Sequence, residues 1–251
     1  MKDARTESYV NLYAVLGAIP YLCRMDTEAQ RHTLGKNVSI GFAVKGGPHA
    51  SLHFTYGKCH MTNDTEGCDI LLPFSSPEKF NGMINGSVTP IPTRGLTRLR
   101  FLLRDFTALT DILTRYLRPS DDDLQNPTFF RANTILTLHV IAETVAQIGN
   151  HDPIGQASAS YITDGTVRLA IGEEIAVGLH AKNHHLTAIH HAPKDCTAFM
   201  AFRDLPLAAD LFAGRVCAAS CVGNGSIRIG GMISQIDNVN RILDRVSQYL
   251  A

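Results

Sequence analysis

The stretch FMAFRDLPLAADLFAGRV, residues 199–216, decides the reading of the chain once it is set against LLPFSSPEKFNGMINGSV, residues 71–88. At one offset of 128 residues Phe74 falls on Phe202, Met83 on Leu211, Ile84 on Phe212, Gly86 on Gly214 and Val88 on Val216. The same offset, carried on without a gap, places Cys68 on Cys196, Gly95 on Gly223, Leu99 on Ile227, Arg100 on Arg228 and Phe101 on Ile229. With small shifts LTDILTRYL (109–117) echoes VNRILDRVSQYL (239–250), and LYAVLGAI (12–19) echoes LHVIAETV (138–145). So long a period indicates a duplicated domain; solenoid repeats run to roughly 20–50 residues. The expected division is a first domain over 1–118, a linker over 119–128 and a second domain over 129–251. The linker reading rests on RPSDDDLQNPT (118–128), with its two prolines and acidic triplet.

Each copy opens with a helical stripe: Leu12, Val15, Leu16, Ile19 and Leu22, then Ile135, Leu138, Ile141, Val145 and Ile148. Runs rich in branched and aromatic residues follow, at 38–44, 51–56 and 69–74 in the first copy and 166–171, 175–180, 185–190 and 197–202 in the second. Short glycine or proline breaks between several of them favour antiparallel hairpins. A capped helix comes next. Ser76 and Asp204 are placed to accept from free backbone N–H groups, Pro77 and Pro206 suit a first turn, and Gly86 and Gly214 suit a positive-φ ending. A last strand is expected at 97–103 and 226–232, because Leu99, Phe101 and Leu103 alternate with Arg98, Arg100 and Arg104. A terminal amphipathic helix closes each copy. Helices framing a mainly antiparallel sheet make an α+β domain.

Composition narrows the function classes. Hydrophobic residues make up 45% and charged residues 18% of the 251, enough apolar material for a packed core. Lys and Arg (23) balance Asp and Glu (23) with no basic run, so a nucleic-acid partner is not expected. The apolar run Leu12–Leu22 is broken by Pro20 and closed by Arg24, which speaks against an integral membrane segment. Six cysteines without a CxxC pair fit a reduced, cytoplasmic protein.

AFMAFRDLPLAADLFAGRV followed by GNGSIRIGGMISQIDNVNRIL resembles the sterol carrier protein 2 (SCP-2-like) family. The residues that carry the resemblance are Gly214-Arg215 at the helix end and the glycine-spaced strand Gly225, Ile227, Ile229 and Gly231. The first copy departs from the pattern, with Leu102-Leu103 where the second has Gly230-Gly231. The resemblance implies two α+β domains, each with a five-stranded sheet covered by helices, and an apolar tunnel for a sterol, fatty acid or acyl chain. The second copy is the expected binding domain and the first a divergent one whose cavity is altered. The residues expected to line the cavity are Phe199, Phe202, Leu207, Leu211, Phe212, Ile227, Ile229, Met232, Ile233 and Ile236. The expected activity is non-catalytic carriage of a hydrophobic small molecule, with no cofactor and no metal.

The rival chemistry sits in KNHHLTAIHHAPKDC (182–196). On a strand His184 and His190 share a face, as do His185 and His191, but about 17–20 Å separates each pair, so a shared ion requires a fold-back. Solvated residues flanking an edge strand are the plainer reading. Cys196 beside Asp195 suggests a nucleophile only if a base lies close in space, and its match to Cys68, which lacks histidines, favours a buried structural thiol. An enzyme acting on an apolar substrate through His184, His185, His190, His191 or Cys196 is the alternative. The arginine face Arg94, Arg98, Arg100 and Arg104 suits a carboxylate or phosphate, or simply solvent.

Overall fold

A computed structural model describes residues 2–250. The chain divides into Met1–Ala132 and Asn133–Ala251, and the division falls inside a helix.

In the first unit α1 (Ala4–Tyr9) starts at Asp3, whose carboxylate accepts the Thr6 N–H at 2.8 Å. The helix continues through a π-helical turn (Val10–Val15) and a tighter turn (Leu16–Ala18) into α2 (Ile19–Met25), followed by α3 (Thr27–Arg31). Strands β1 (Asn37–Val44), β2 (His49–Thr55), β3 (Lys58–Thr62) and β4 (Ile70–Phe74) form a sheet of order β3-β2-β1-β4. Then come α4 (Pro77–Ile84), α5 (Thr107–Leu117) and α6 (Asp121–Gln125). In the second unit α7 (Pro127–His151), which begins before the division, leads into α8 (Pro153–Ala159). Strands β5 (Gly165–Ile171), β6 (Ile175–Lys182), β7 (His185–Ile189), β8 (Ala198–Phe202) and β9 (Ile227–Gly231) form a sheet of order β7-β6-β5-β8-β9. Helices α9 (Leu205–Phe212) and α10 (Ala218–Gly223) precede β9; α11 (Ile233–Leu243) and α12 (Val246–Leu250) follow it.

The strand registers show one scaffold used twice. Phe42 pairs with Ala50 on β2 and Leu72 on β4; Leu169 pairs with Val177 on β6 and Met200 on β8. β1 and β2 therefore map onto β5 and β6 at a shift of 127, and β4 onto β8 at 128. The bounds of α4 and α9 also differ by 128. Asp26 caps α3 by accepting the Ala29 N–H, and Asp152 caps α8 by accepting those of Ile154 and Gly155. Each carboxylate also accepts a tyrosine hydroxyl from the end of its own unit, Tyr116 at 3.0 Å and Tyr249 at 2.6 Å.

Five expectations need correction. The sheets are not wholly hairpins, since β1–β4 and β5–β8 are parallel, joined through the rest of each meander. The first copy has four strands, not five: 97–103 is helical, with a tight turn at Leu96–Arg98 and a π-helical turn at Phe101–Phe106. The reason lies at Gly95. A side chain there would meet the Asp69 carbonyl at 2.4 Å, and one at Gly231 would meet that of Thr197 at 2.3 Å, so these two glycines are equivalent at a shift of 136. The gapless match of Gly95 to Gly223 thus fails. The second copy has eight more residues before its glycine, enough for α10 and the strand β9, where the first copy manages one bridge, Leu71 to Arg94. Residues 118–128 are not a bare linker either, because Ser120 and Asp123 close a capping box that starts α6. The acidic triplet sits in that first turn, where the helix dipole favours it. Last, Ser76 makes no side-chain cap bond, although Asp204 does.

Candidate functional site

Helix α9 is fixed at both ends. The Asp204 carboxylate accepts the Leu207 N–H at 2.9 Å, and hydrogen bonds from Arg203 and Leu207 hold that carboxyl below its usual range. Gly214 takes a φ of 68° and turns the chain away. Leu207 and Ala208 are buried, and the Phe212 ring stands edge-on to Phe202 with centroids 5.8 Å apart. α9 therefore covers the sheet face that carries Ala198, Met200 and Phe202. Ile227 and Ile229 share that face through their pairing with Phe202 and Met200.

The structure divides the ten expected lining residues. Phe202, Leu207, Leu211, Phe212, Ile227 and Ile229 lie on the α9 face or on α9 itself, with Ile236 buried on α11. Ile229, Met232 and Ile233 are 37%, 41% and 56% exposed, an unusual concentration of open apolar surface within five residues. Phe199 lies on the opposite face of the sheet. Its ring passes over Gly230, where a Cβ would come within 2.6 Å of it.

Equivalent positions in the two units differ in side-chain size. In the first unit the space between sheet and helices is filled by phenylalanine: Phe42 contacts Phe80 and Phe106, Phe54 contacts Phe101 and Phe106, and Phe74 contacts Phe80. In the second unit Phe42 becomes Leu169, Phe54 becomes Ala181, Ile70 becomes Ala198 and Phe80 becomes Ala208, all buried. Small residues give no hydrophobic signal of their own, so these size differences appear only when the two copies are correctly registered. In the first unit an open depression of about 690 Å³ lies at the ends of β1 and β4, between Ala43, Lys45, His49, Thr65 and Phe74.

The histidines do not converge. Asn183 and His184 form the β6–β7 turn with φ of 51° and 64°, while His185 and His191 are exposed. Of the four, His190 is the one engaged, its Nε2 3.0 Å from Glu143 Oε2 and its Nδ1 3.1 Å from Nδ1 of His139. Glu143 and His139 stand one turn apart on α7, so both contacts tie the His190 ring to that helix. Cys196 is exposed, unlike buried Cys68, which corrects the structural-thiol reading: the Cys68 sulfur lies over Gly41, where a Cβ would meet it at 2.6 Å, and the equivalent position in the second unit is Arg168. The other exposed thiol, Cys217, stands at the N-cap position of α10, where the backbone N–H groups of Ser220 and Ala219 lower its pKa. Among the described residues no group of three His, Cys, Asp or Glu is placed to hold a metal ion, and no helix is long and apolar enough to cross a membrane.

These elements define two α+β units in which helices cover a mainly antiparallel sheet. No family model and no curated protein matches the chain by sequence. Among solved structures the chain is similar to SCP-2 domains, the family resembled by its sequence. One is a UbiJ-SCP2 ubiquinone synthesis protein, at 12% identity over 43% of this chain and 96% of that one, with a TM-score of 0.33. A sterol carrier protein 2 aligns at 15% identity over 44% and 92%, also with a TM-score of 0.33. A conserved hypothetical protein from Thermus thermophilus, described as possibly a sterol carrier protein, aligns at 15% over 43% and 85%, again at 0.33.

Proposed function

We propose that the second unit binds a hydrophobic small molecule, such as a fatty acid, sterol or acyl chain, between its sheet and helices, and carries it without chemical change. The observation behind this reading is the contraction of one scaffold: Leu169, Ala181, Ala198 and Ala208 stand where the first unit has Phe42, Phe54, Ile70 and Phe80. A Phe-to-Ala contraction left empty costs about 3–5 kcal/mol. A ligand methylene buried there instead gains about 0.8 kcal/mol. The open apolar residues Ile229, Met232 and Ile233 supply a mouth. The division of labour follows: the first unit is a filled, divergent copy and the second the carrier. The units take the divisions 1–118 and 129–251 in this reading, and six free thiols support a cytoplasmic setting.

The test is the protein as purified. Native mass spectrometry of the full chain should find a bound lipid, or take one up from added oleate. Leu211 is only half-buried on α9, so Leu211→Arg should leave both units folded and lose the ligand. Ligand retained by the folded variant would count against the site, and a wild-type chain that never takes up a lipid would end the carrier reading.

A further inference from the structure

The arginine run of the first unit is not the outer face of a strand, and its true placement gives it a different meaning. Residues 88–104 contain Arg94, Arg98, Arg100 and Arg104 and no carboxylate. Each of these four arginines is exposed. Five other arginines of this chain are held by acids: Arg115 by Asp123, Arg203 by Asp204, Arg215 by Asp210, Arg241 by Asp237 and Arg245 by Asp152. Arg98, Arg100 and Arg104 have no ion pair among the described residues. The nearest carboxylate in sequence, Asp105, is buried and already engaged by Lys36 Nζ at 2.7 Å and His32 Nδ1 at 3.4 Å.

Between these charges stand apolar side chains in water. Leu96 and Leu103 are 64% and 71% exposed, and Ile91 just upstream is 77% exposed. The π-helical turn that carries Leu103 buries Phe101, Leu102 and Phe106 on its other side, which fixes Leu103 outward, while every residue of the tight turn Leu96–Arg98 stays unburied. A surface that offers unpaired guanidinium groups around protruding leucines fits one partner by charge and by polarity: a bilayer carrying anionic headgroups. The arginines meet the headgroup phosphates and the leucines enter the acyl boundary.

We infer that residues 91–104 form a docking surface for an anionic lipid bilayer. It lies in the first unit and does not require a ligand in the second, so its failure leaves the carrier reading untouched.

The experiment is sedimentation of the full chain with vesicles of phosphatidylcholine alone or with about 30% phosphatidylserine, an anionic surface of the kind that attracts basic segments. Binding is expected to the anionic vesicles only, and to weaken with salt. Arg98→Gln, Arg100→Gln and Arg104→Gln together should weaken it about a hundredfold, at about fivefold for each arginine. Leu96→Ser with Leu103→Ser should weaken it at least about tenfold while the charge is unchanged. All five positions are exposed, and circular dichroism checks that each variant is folded. No binding to anionic vesicles overturns the inference. So does binding that the leucine changes leave intact and that heparin matches, since the surface then recognises a polyanion and not a bilayer.

Discussion

Asp26 and Asp152 stand 126 residues apart and perform the same tasks: each starts a short helix and each accepts a tyrosine hydroxyl from the end of its unit. Asp152 does more, since Arg245 also reaches it at 2.8 Å and its side chain is 2% exposed. Burial opposes ionisation of Asp152, but hydrogen bonds from Arg245 and Tyr249 outweigh it and hold the carboxyl below its usual range. A depressed carboxyl contributes stability that is present above its unfolded value, about 3.9, and is lost as pH falls through the lower folded one. Asp152→Asn should cost about 3 kcal/mol near neutral pH, because Arg245 is left buried without its counter-charge. Denaturant melts at several pH values should show the gap between wild type and variant shrinking below about pH 4; a gap constant with pH would contradict the ion-pair assignment. Neither aspartate was legible as a paired residue in the sequence. Both tyrosines lie about a hundred residues away, and no spacing rule reaches that far.

At the scale of elements, the strands were legible wherever apolar alternation was strong and hidden where the pattern served two structures. β1, β2, β4 and β5 to β9 were expected within a few residues of their places, whereas β3, with Lys58, His60 and Thr62, has too little apolar character to announce itself. The segment TRLRFLL alternates as a strand would, yet Gly95 has already used the edge of the sheet and the chain turns helical. The hairpin β6–β7 illustrates turn chemistry overriding a tempting motif. His184 holds a φ of 64° because a two-residue turn demands it, and the equivalent position in the first hairpin is Gly57, at 88°. His184→Gly should therefore stabilise the protein by about 0.5–1 kcal/mol. Thermal melts read this directly, and destabilisation would mean that the histidine has a role beyond the turn.

Across the whole molecule, duplication was the most informative signal in the sequence and also the source of its main error. Carrying one offset through the glycine-rich region hid eight extra residues in the second copy and matched Gly95 to the wrong partner. Of the residues expected to line a cavity, Phe202, Leu211, Phe212 and Ile227 lie on α9 or on the sheet face it covers, and Phe199 lies on the far face of the sheet. In the proposed carrier reading the set also needs the alanines, which carry no apolar signal in the sequence. The measurement that tests the carrier most directly is a fluorescent fatty-acid titration of the wild type beside a variant in which Ala181→Phe and Ala208→Phe restore the first unit's residues. The account predicts saturable binding of one ligand by the wild type, and loss of that binding in a variant that remains folded. Undiminished binding by the folded variant would contradict it.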